Sequence, residues 1–313
     1  MKITVFVIVF LSLLLLSYKL VLELQNRSLD DKMNRITIPE ISTDVTHKQI
    51  LLNGCDIHYY VSGIEGKETI VMLHPAFSDH SAFQQQVDYF SKIYHVITID
   101  MLGHGHSSRL SGADLIDQSA HHIEKILTEE NISKAHLVGV SMGSLVAQHF
   151  GVLFPYKTHS LTAIGGYSIN EVNEEVSRAQ RSVNLSLITK VIFSMKSFRY
   201  ASAHMSTYSP KGAKLFFNSA QGFKRSSFPI MQGLANIIKD RAISQYPYPV
   251  HIITGEHDIP LAHQMAKKWH EQYTHTFYHT IHGAGHCANV DKPDLFNKLY
   301  LDILSTHQYD TTQ

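Results

Sequence analysis

The chain has 313 residues, 27 Lys plus Arg against 27 Asp plus Glu, and 44% hydrophobic residues. That length allows one sizeable core with additions, and the composition excludes a disordered chain. The balanced charge gives no reason to expect a nucleic-acid partner. Cys55 and Cys287 are the only cysteines and lie too far apart in sequence to suggest a metal motif or a disulfide framework. Among the 22 histidines, His104 with His106 and His121 with His122 are the nearest candidates for ligand spacing. Neither pair makes a convincing metal set, so no metal and no cofactor is expected.

In chain order, Lys2 precedes an apolar run from Ile3 to Leu16, and with Lys19 snorkelling the stretch reaches Leu22. About 20 residues is the length a helix needs to cross a bilayer. No small-x-small cleavage site follows the run and there is no cysteine for a lipid, so residues 1–24 read as an N-terminal transmembrane helix, with a cleaved signal segment and secretion as the alternative. We expect a single pass. A short tail with one Lys favours an extracytoplasmic domain, whereas Lys19, Arg27, Lys32 and Arg35 pull the other way under the positive-inside rule. Residues 25–47 are polar, mixed in charge and broken by Pro39, and read as a linker.

The pattern then becomes regular. Gln49–Leu52 and Asp56–Val61 flank Asn53-Gly54, a two-residue hairpin signal. Short apolar runs follow at Thr69–Leu73, Val96–Ile99, His136–Val140, Leu161–Ile164 and Val250–Ile253, as in strands buried on both faces. Helical patterns lie between them at His121–Leu127, Leu145–Phe154 and Ala262–Tyr273. This alternation predicts an α/β fold with a mostly parallel sheet flanked by helices. It is interrupted over about 167–246, where several helices replace the strands. We expect an inserted helical cap there, with eleven Lys and Arg against four acids and with Phe193, Phe198, Tyr200, Phe216, Phe217, Phe223 and Phe228. The main domain spans 48–307 and residues 308–313 are a tail.

The segment HLVGVSMGSLVAQHF places Gly139-Val140-Ser141-Met142-Gly143 between an apolar strand and a helical pattern. In that context G-x-S-x-G signals a sharp turn that exposes the serine above the sheet. Side chains at the two flanking positions would collide, hence Gly139 and Gly143. A serine hydroxyl needs a general base, and with such an elbow the acid and then the histidine follow downstream. VHIITGEHD delivers Asp258 past a strand end, and the small residues Gly283, Ala284 and Gly285 lead to His286. Glu256 and His282 are the rival acid and base. Ser141, Asp258 and His286 are therefore the expected catalytic residues. Two backbone N–H groups are wanted for the oxyanion: Met142 after the nucleophile, and one from His74-Pro75-Ala76-Phe77. Pro75 has no N–H, which favours Ala76 over Phe77.

From about His47 to Leu304 the chain resembles the α/β-hydrolase family of esterases, lipases, enol-lactonases and proline iminopeptidases. HPAF looks like its His-Gly-x-Gly oxyanion loop, ITIDMLGHGHSSR like its D-x-x-G-x-G-x-S loop, GVSMG like its elbow, and GEHD with GAGH like its acid and histidine ends. Pro75 departs from the usual glycine. Asp100, Gly103, Gly105 and Ser107 would shape a turn near the site. The resemblance implies a cofactor-free hydrolysis of carboxylic esters, monoacylglycerol-like lipids included. The alternatives are a peptidase, a C–C bond hydrolase or an acyltransferase with the same residues, or a non-catalytic receptor on the same fold. The expected partners are a small ester or lipid and, through the N-terminal helix, a membrane.

Overall fold

The computed structural model describes residues 2–39, 43–181, 185–243 and 245–308. The Asn53-Gly54 turn has both residues at positive φ, +52° and +73°, and closes Leu52 onto Cys55. It joins β1 (Thr46–Leu52) to β2 (Cys55–Gly63). The strands β3 (Thr69–Leu73), β4 (His95–Ile99), β5 (Ser108–Arg109), β6 (Ala135–Val140), β7 (Thr158–Ile164), β8 (Gln245–Gly255) and β9 (Thr274–Ile281) complete one sheet. Its order is β1-β2-β4-β3-β6-β7-β8-β9, with β5 beside β2. From β4 to β9 every pairing is parallel.

Helix α1 (Lys2–Asn34) precedes the sheet, and α2 (Gln84–Phe90), α3 (Ser119–Glu129) and α4 (Met142–Leu153) lie between its strands. The insert between β7 and β8 comprises α5 (Glu174–Arg181), α6 (Leu185–Phe193), α7 (Met195–Ser206), α8 (Pro210–Ser219), α9 (Phe228–Met231) and α10 (Leu234–Ile237). It is followed by α11 (Pro260–Gln272), α12 (Ala288–Asp291) and α13 (Pro293–Gln308). Strand side chains alternate between two cores. Ile97, Leu137 and Ile252 pack with Ile123, Phe150 and Trp269 on one face. Val96, Val138 and Ile253 pack with Phe83, Phe90 and Tyr300 on the other. The expected helices on both faces of a mostly parallel sheet are therefore present.

The N-terminus departs from expectation. The segment expected to be a linker from residue 25 is helical to Asn34. Two of its polar residues, Asn26 and Asp30, face the cap, while Gln25, Arg27, Ser28, Asp31, Lys32 and Asn34 are exposed. Asn26 donates to Ser194 at 3.2 Å, and Asp30 accepts from Lys196 at 2.6 Å and from the Tyr200 hydroxyl at 2.5 Å. Earlier in the helix, Tyr18 bonds Thr189 at 2.9 Å. Residues 25–34 thus dock one polar side against the start of α7, because Asn26 and Asp30 find polar partners there, and Tyr18 alone reaches α6. The side chains of residues 1–11, which carry much of the apolar run, lie outside the described residues, as do residues 309–313 of the expected tail. Among the described residues no helix is long and apolar enough to cross a membrane.

Candidate active site

Ser141 stands between β6 and α4 with φ +52° and ψ −114°, a conformation that costs a non-glycine residue free energy and that surrounding structure must impose. Its N–H donates to the Ile164 carbonyl at 2.8 Å, tying the turn to the end of β7. The flanking glycines are required by close approach. A Cβ on Gly139 would lie 2.3 Å from the Gly143 carbonyl, and one on Gly143 would lie 2.1 Å from the Leu73 carbonyl oxygen. The second contact brings the end of β3, and the His74–Phe77 loop that follows it, against the first turn of α4. Met142 opens that helix, where N–H groups lack intrahelical partners. Phe77 has φ +69°.

The loop is fixed by His74, whose part the sequence did not disclose. It is fully buried; Nδ1 donates to the Pro75 carbonyl at 2.8 Å, and Nε2 accepts the Met101 N–H at 3.0 Å. Burial pulls this imidazole down to about 4, so it is neutral and can accept. Asp100 holds the adjoining turn. Its carboxylate accepts the backbone N–H groups of His80 and His106, both at 2.9 Å, the His80 ring at 2.8 Å and the Tyr60 hydroxyl at 3.2 Å. Burial would raise its pKa, but these donors and the His80 charge outweigh burial and hold it well below the usual range. Asp79, His80 and Asp100 bring possible metal-ligand atoms together, yet the Asp100 oxygens are already taken up in this turn.

Asp258 follows β8, and its side chain is fully buried. His286 donates from Nδ1 to its oxygens, at 2.9 and 3.1 Å. The His286 ring rests on Gly165, where a Cβ would come within 2.8 Å of Cε1 and Nδ1. Gly165 follows Ile164, whose carbonyl holds the Ser141 N–H, so Ser141 and His286 both lie beside the carboxyl end of β7. Among the described residues no hydrogen bond joins the Ser141 hydroxyl to His286; such bonds are often loose before substrate binds. The rivals pair with one another elsewhere: exposed His282 lies 3.5 Å from Glu256, whose carboxylate also accepts the Gly283 N–H at 2.8 Å.

Sequence reasoning also passed over Asp291, five residues beyond His286. Its buried carboxylate accepts the N–H groups of Tyr208 and Ser209 and the Ser209 hydroxyl, each at 2.7 Å, and the Gly285 N–H at 2.8 Å. It thereby joins the cap to the loop that presents His286. The cap also closes over Phe77. The Phe77 ring meets Phe198 at 5.0 Å, Phe223 at 5.1 Å and Phe228 at 5.9 Å between centroids. A cavity of about 310 Å³ opens there, lined by Phe77, Leu187, Val191, Phe198, Met205 and Phe228 among others. Several cap cations are taken up internally: Arg199, Arg225 and Arg241 donate to backbone carbonyls.

Comparison with known proteins adds to this geometry. A family model described as the alpha/beta hydrolase fold matches residues 68–293. The chain is 26% identical over 264 residues to (E)-2-((N-methylformamido)methylene)succinate hydrolase of Acinetobacter baylyi, covering 82% of this chain and 97% of that protein. It is 26% identical over 245 residues to 3-oxoadipate enol-lactonase 2 of the same organism, covering 77% and 90% respectively. The crystal structure of a membrane phospholipase A described as a bacterial virulence factor superimposes with a TM-score of 0.64 at 15% identity, covering 98% of this chain and 99% of that one.

Proposed function

Because this chain belongs to the alpha/beta hydrolase fold family, we propose that it is a serine hydrolase of carboxylic esters with an apolar acyl group. The observation that carries this reading is the Asp258–His286 pair, with bonds of 2.9 and 3.1 Å, packed beside the positive-φ turn of Ser141. In the reaction, Ser141 Oγ attacks the ester carbonyl carbon while His286 Nε2 takes its proton. Asp258 keeps the Nδ1–H in place and stabilises the imidazolium. The Met142 and Ala76 N–H groups, with Phe77 the second choice for the latter, receive the developing oxyanion. The alkoxide leaves with the proton from His286, and water activated by the same imidazole then releases the acid and restores Ser141. No cofactor enters these steps.

The apolar cavity at Phe77 supports an acyl chain, since aliphatic and aromatic walls bind by excluding water. The relatives that hydrolyse an enol-lactone and a succinate derivative support a second reading, a small lactone or dicarboxylate substrate. One experiment separates the readings. A fluorophosphonate probe should label the parent chain at Ser141 and leave Ser141→Ala unlabelled. A panel of p-nitrophenyl esters, monoacylglycerols, enol-lactones and aminoacyl amides should then rank medium and long acyl esters first. Absence of labelling sinks the serine mechanism; a preference for lactones or amides sinks the ester assignment alone.

We also propose that α1 tethers the domain to a membrane as a single N-terminal pass, with the domain on the extracytoplasmic side. In support, Leu13 to Leu16, Leu20, Val21 and Leu24 are about half exposed along the helix. The superposition over 98% of the chain also extends the likeness beyond the hydrolase domain. Full-length protein should stay with the membrane through alkaline carbonate extraction; release into the supernatant would refute the tether.

A further inference from the structure

At the sheet end opposite Ser141, the N-terminal ends of β3, β6 and β7 bring three side chains together. The β6–β7 register shifts there: Ala135 faces Thr158 but His136 faces Ser160, leaving His159 as an extra residue. Such a bulge re-aims a side chain. The His159 ring stacks on that of His136, with centroids 4.7 Å apart. Glu68 immediately precedes β3 and reaches both rings. Its oxygens lie 3.9 Å from His136 Nε2 and 3.9 Å from His159 Nδ1.

These distances are too long for hydrogen bonds, but they suit groups around a common centre. Ligand atoms about 2.0–2.2 Å from a tetrahedral ion are roughly 3.4 Å apart, and the three here already lie within 4.8 Å of one another. A second, independent observation concerns His136. The residue is 1% exposed, and its Nδ1 pairs with the buried Ser160 hydroxyl at 2.7 Å. Its buried Nε2 has no hydrogen-bond partner among the described residues. In the tautomer that donates Nδ1–H to Ser160, Nε2 carries a buried lone pair able to ligate a cation, with the Glu68 carboxylate 3.9 Å away as a second ligand. The Ser160 bond is the kind of outer contact that orients a ligating imidazole. A groove of about 890 Å³ lined in part by Glu68 and His159 provides an entry path.

We infer that Glu68, His136 and His159 form a binding site for a divalent transition-metal ion, remote from the proposed catalytic serine. Two imidazoles and one carboxylate suit Zn²⁺, Ni²⁺ or Cu²⁺, whereas Mg²⁺ and Ca²⁺ favour oxygen ligands. The ion would clamp the starts of three neighbouring strands, a role independent of the hydrolase reading.

The test uses full-length, chelator-treated protein, with Zn²⁺ as the probe in calorimetric titration and thermal melting. The chain has 22 histidines, including the His47–His58 pair at 2.7 Å, so the result is read as a difference between variants. The parent should bind one more Zn²⁺ than Glu68→Gln/His159→Ala, and saturating Zn²⁺ should raise its Tm by about 3–8 °C more. His47→Ala should behave like the parent. Glu68 and His159 are both partly exposed, so the variant should fold, which its melt in chelator checks; if it does not, Glu68→Gln alone decides. Equal Zn²⁺ stoichiometry and equal stabilisation in parent and variant would overturn the site, as would an equal response to Mg²⁺.

Discussion

Replacing Asp291 by Asn would test how the cap and the histidine loop are held together. The carboxylate receives four donors, two on each oxygen: Ser209 N–H and Oγ–H on Oδ1, and Tyr208 N–H and Gly285 N–H on Oδ2. An Asn side chain keeps one oxygen, so whichever way it turns, two donors face an NH₂ group. Hydrogen bonds to a charged group contribute about 1.5–3 kcal/mol each, giving a loss of roughly 3–6 kcal/mol, with relaxation reducing it. For a chain of this size about 1 kcal/mol shifts Tm by roughly 2–4 °C, so Asp291→Asn should melt about 8–15 °C lower. Gly285 precedes His286, so loss of its bond should also loosen the imidazole and lower kcat by about tenfold, with KM for a short ester changing less. Differential scanning calorimetry and steady-state kinetics on a soluble p-nitrophenyl ester measure the two effects. A variant that melts within about 2 °C of the parent with unchanged kcat would show that the four bonds do not hold the cap to the histidine loop.

Asp258→Asn should slow ester turnover by roughly 10³–10⁴-fold, because the amide would favour the wrong imidazole tautomer, while Glu256→Gln should cost less than about threefold; reversed effects would exchange the acid. Ser141→Ala should reduce kcat by about 10⁴-fold or more while leaving the thermal melt close to that of the parent, and retention of even a few per cent of activity after repurification would remove Ser141 from the mechanism. Asp100 has a lower pKa folded than unfolded, so its stabilisation is complete above about pH 4 and is lost as pH falls towards the folded value. Asp100→Asn should therefore flatten the acid limb of a Tm-against-pH curve, and an unchanged limb would mean that the turn does not depend on this charge. Phe228→Ala should raise KM for long acyl esters at least about fivefold and leave short ones nearly unchanged if the cavity at Phe77 holds the chain; equal effects on both would place the acyl group elsewhere.

The parallel strands were legible because β3, β4 and β6 are buried along their whole length, and burial on both faces writes a continuous apolar run. Strand β9 was not, because it closes the sheet with the sequence THTFYHTI, in which only Thr276 and the final Ile281 are buried and Phe277 is exposed. An edge strand of that kind carries no apolar run to recognise. The elbow glycines were readable because the motif spans five residues and Gly139 is excluded from a side chain by Gly143 within it, although the contact that excludes one at Gly143 comes from Leu73 on β3. Asp291 and His74 were not, because their work lies in bonds to backbone groups that sequence distance conceals; Asp291 binds Tyr208 from 83 positions away. The same reason hid Glu68, His136 and His159. Metal ligands on a helix or in a short loop leave a spacing, whereas ligands gathered from the starts of three parallel strands leave none, since each crossover sets its own length. A one-residue bulge completes the group by turning His159 towards His136, and no propensity scale registers such a bulge. The residues most legible here are therefore those constrained by their immediate chain neighbours. Those that join the cap to the sheet, or one strand start to the next, become visible only when the fold brings distant segments into contact.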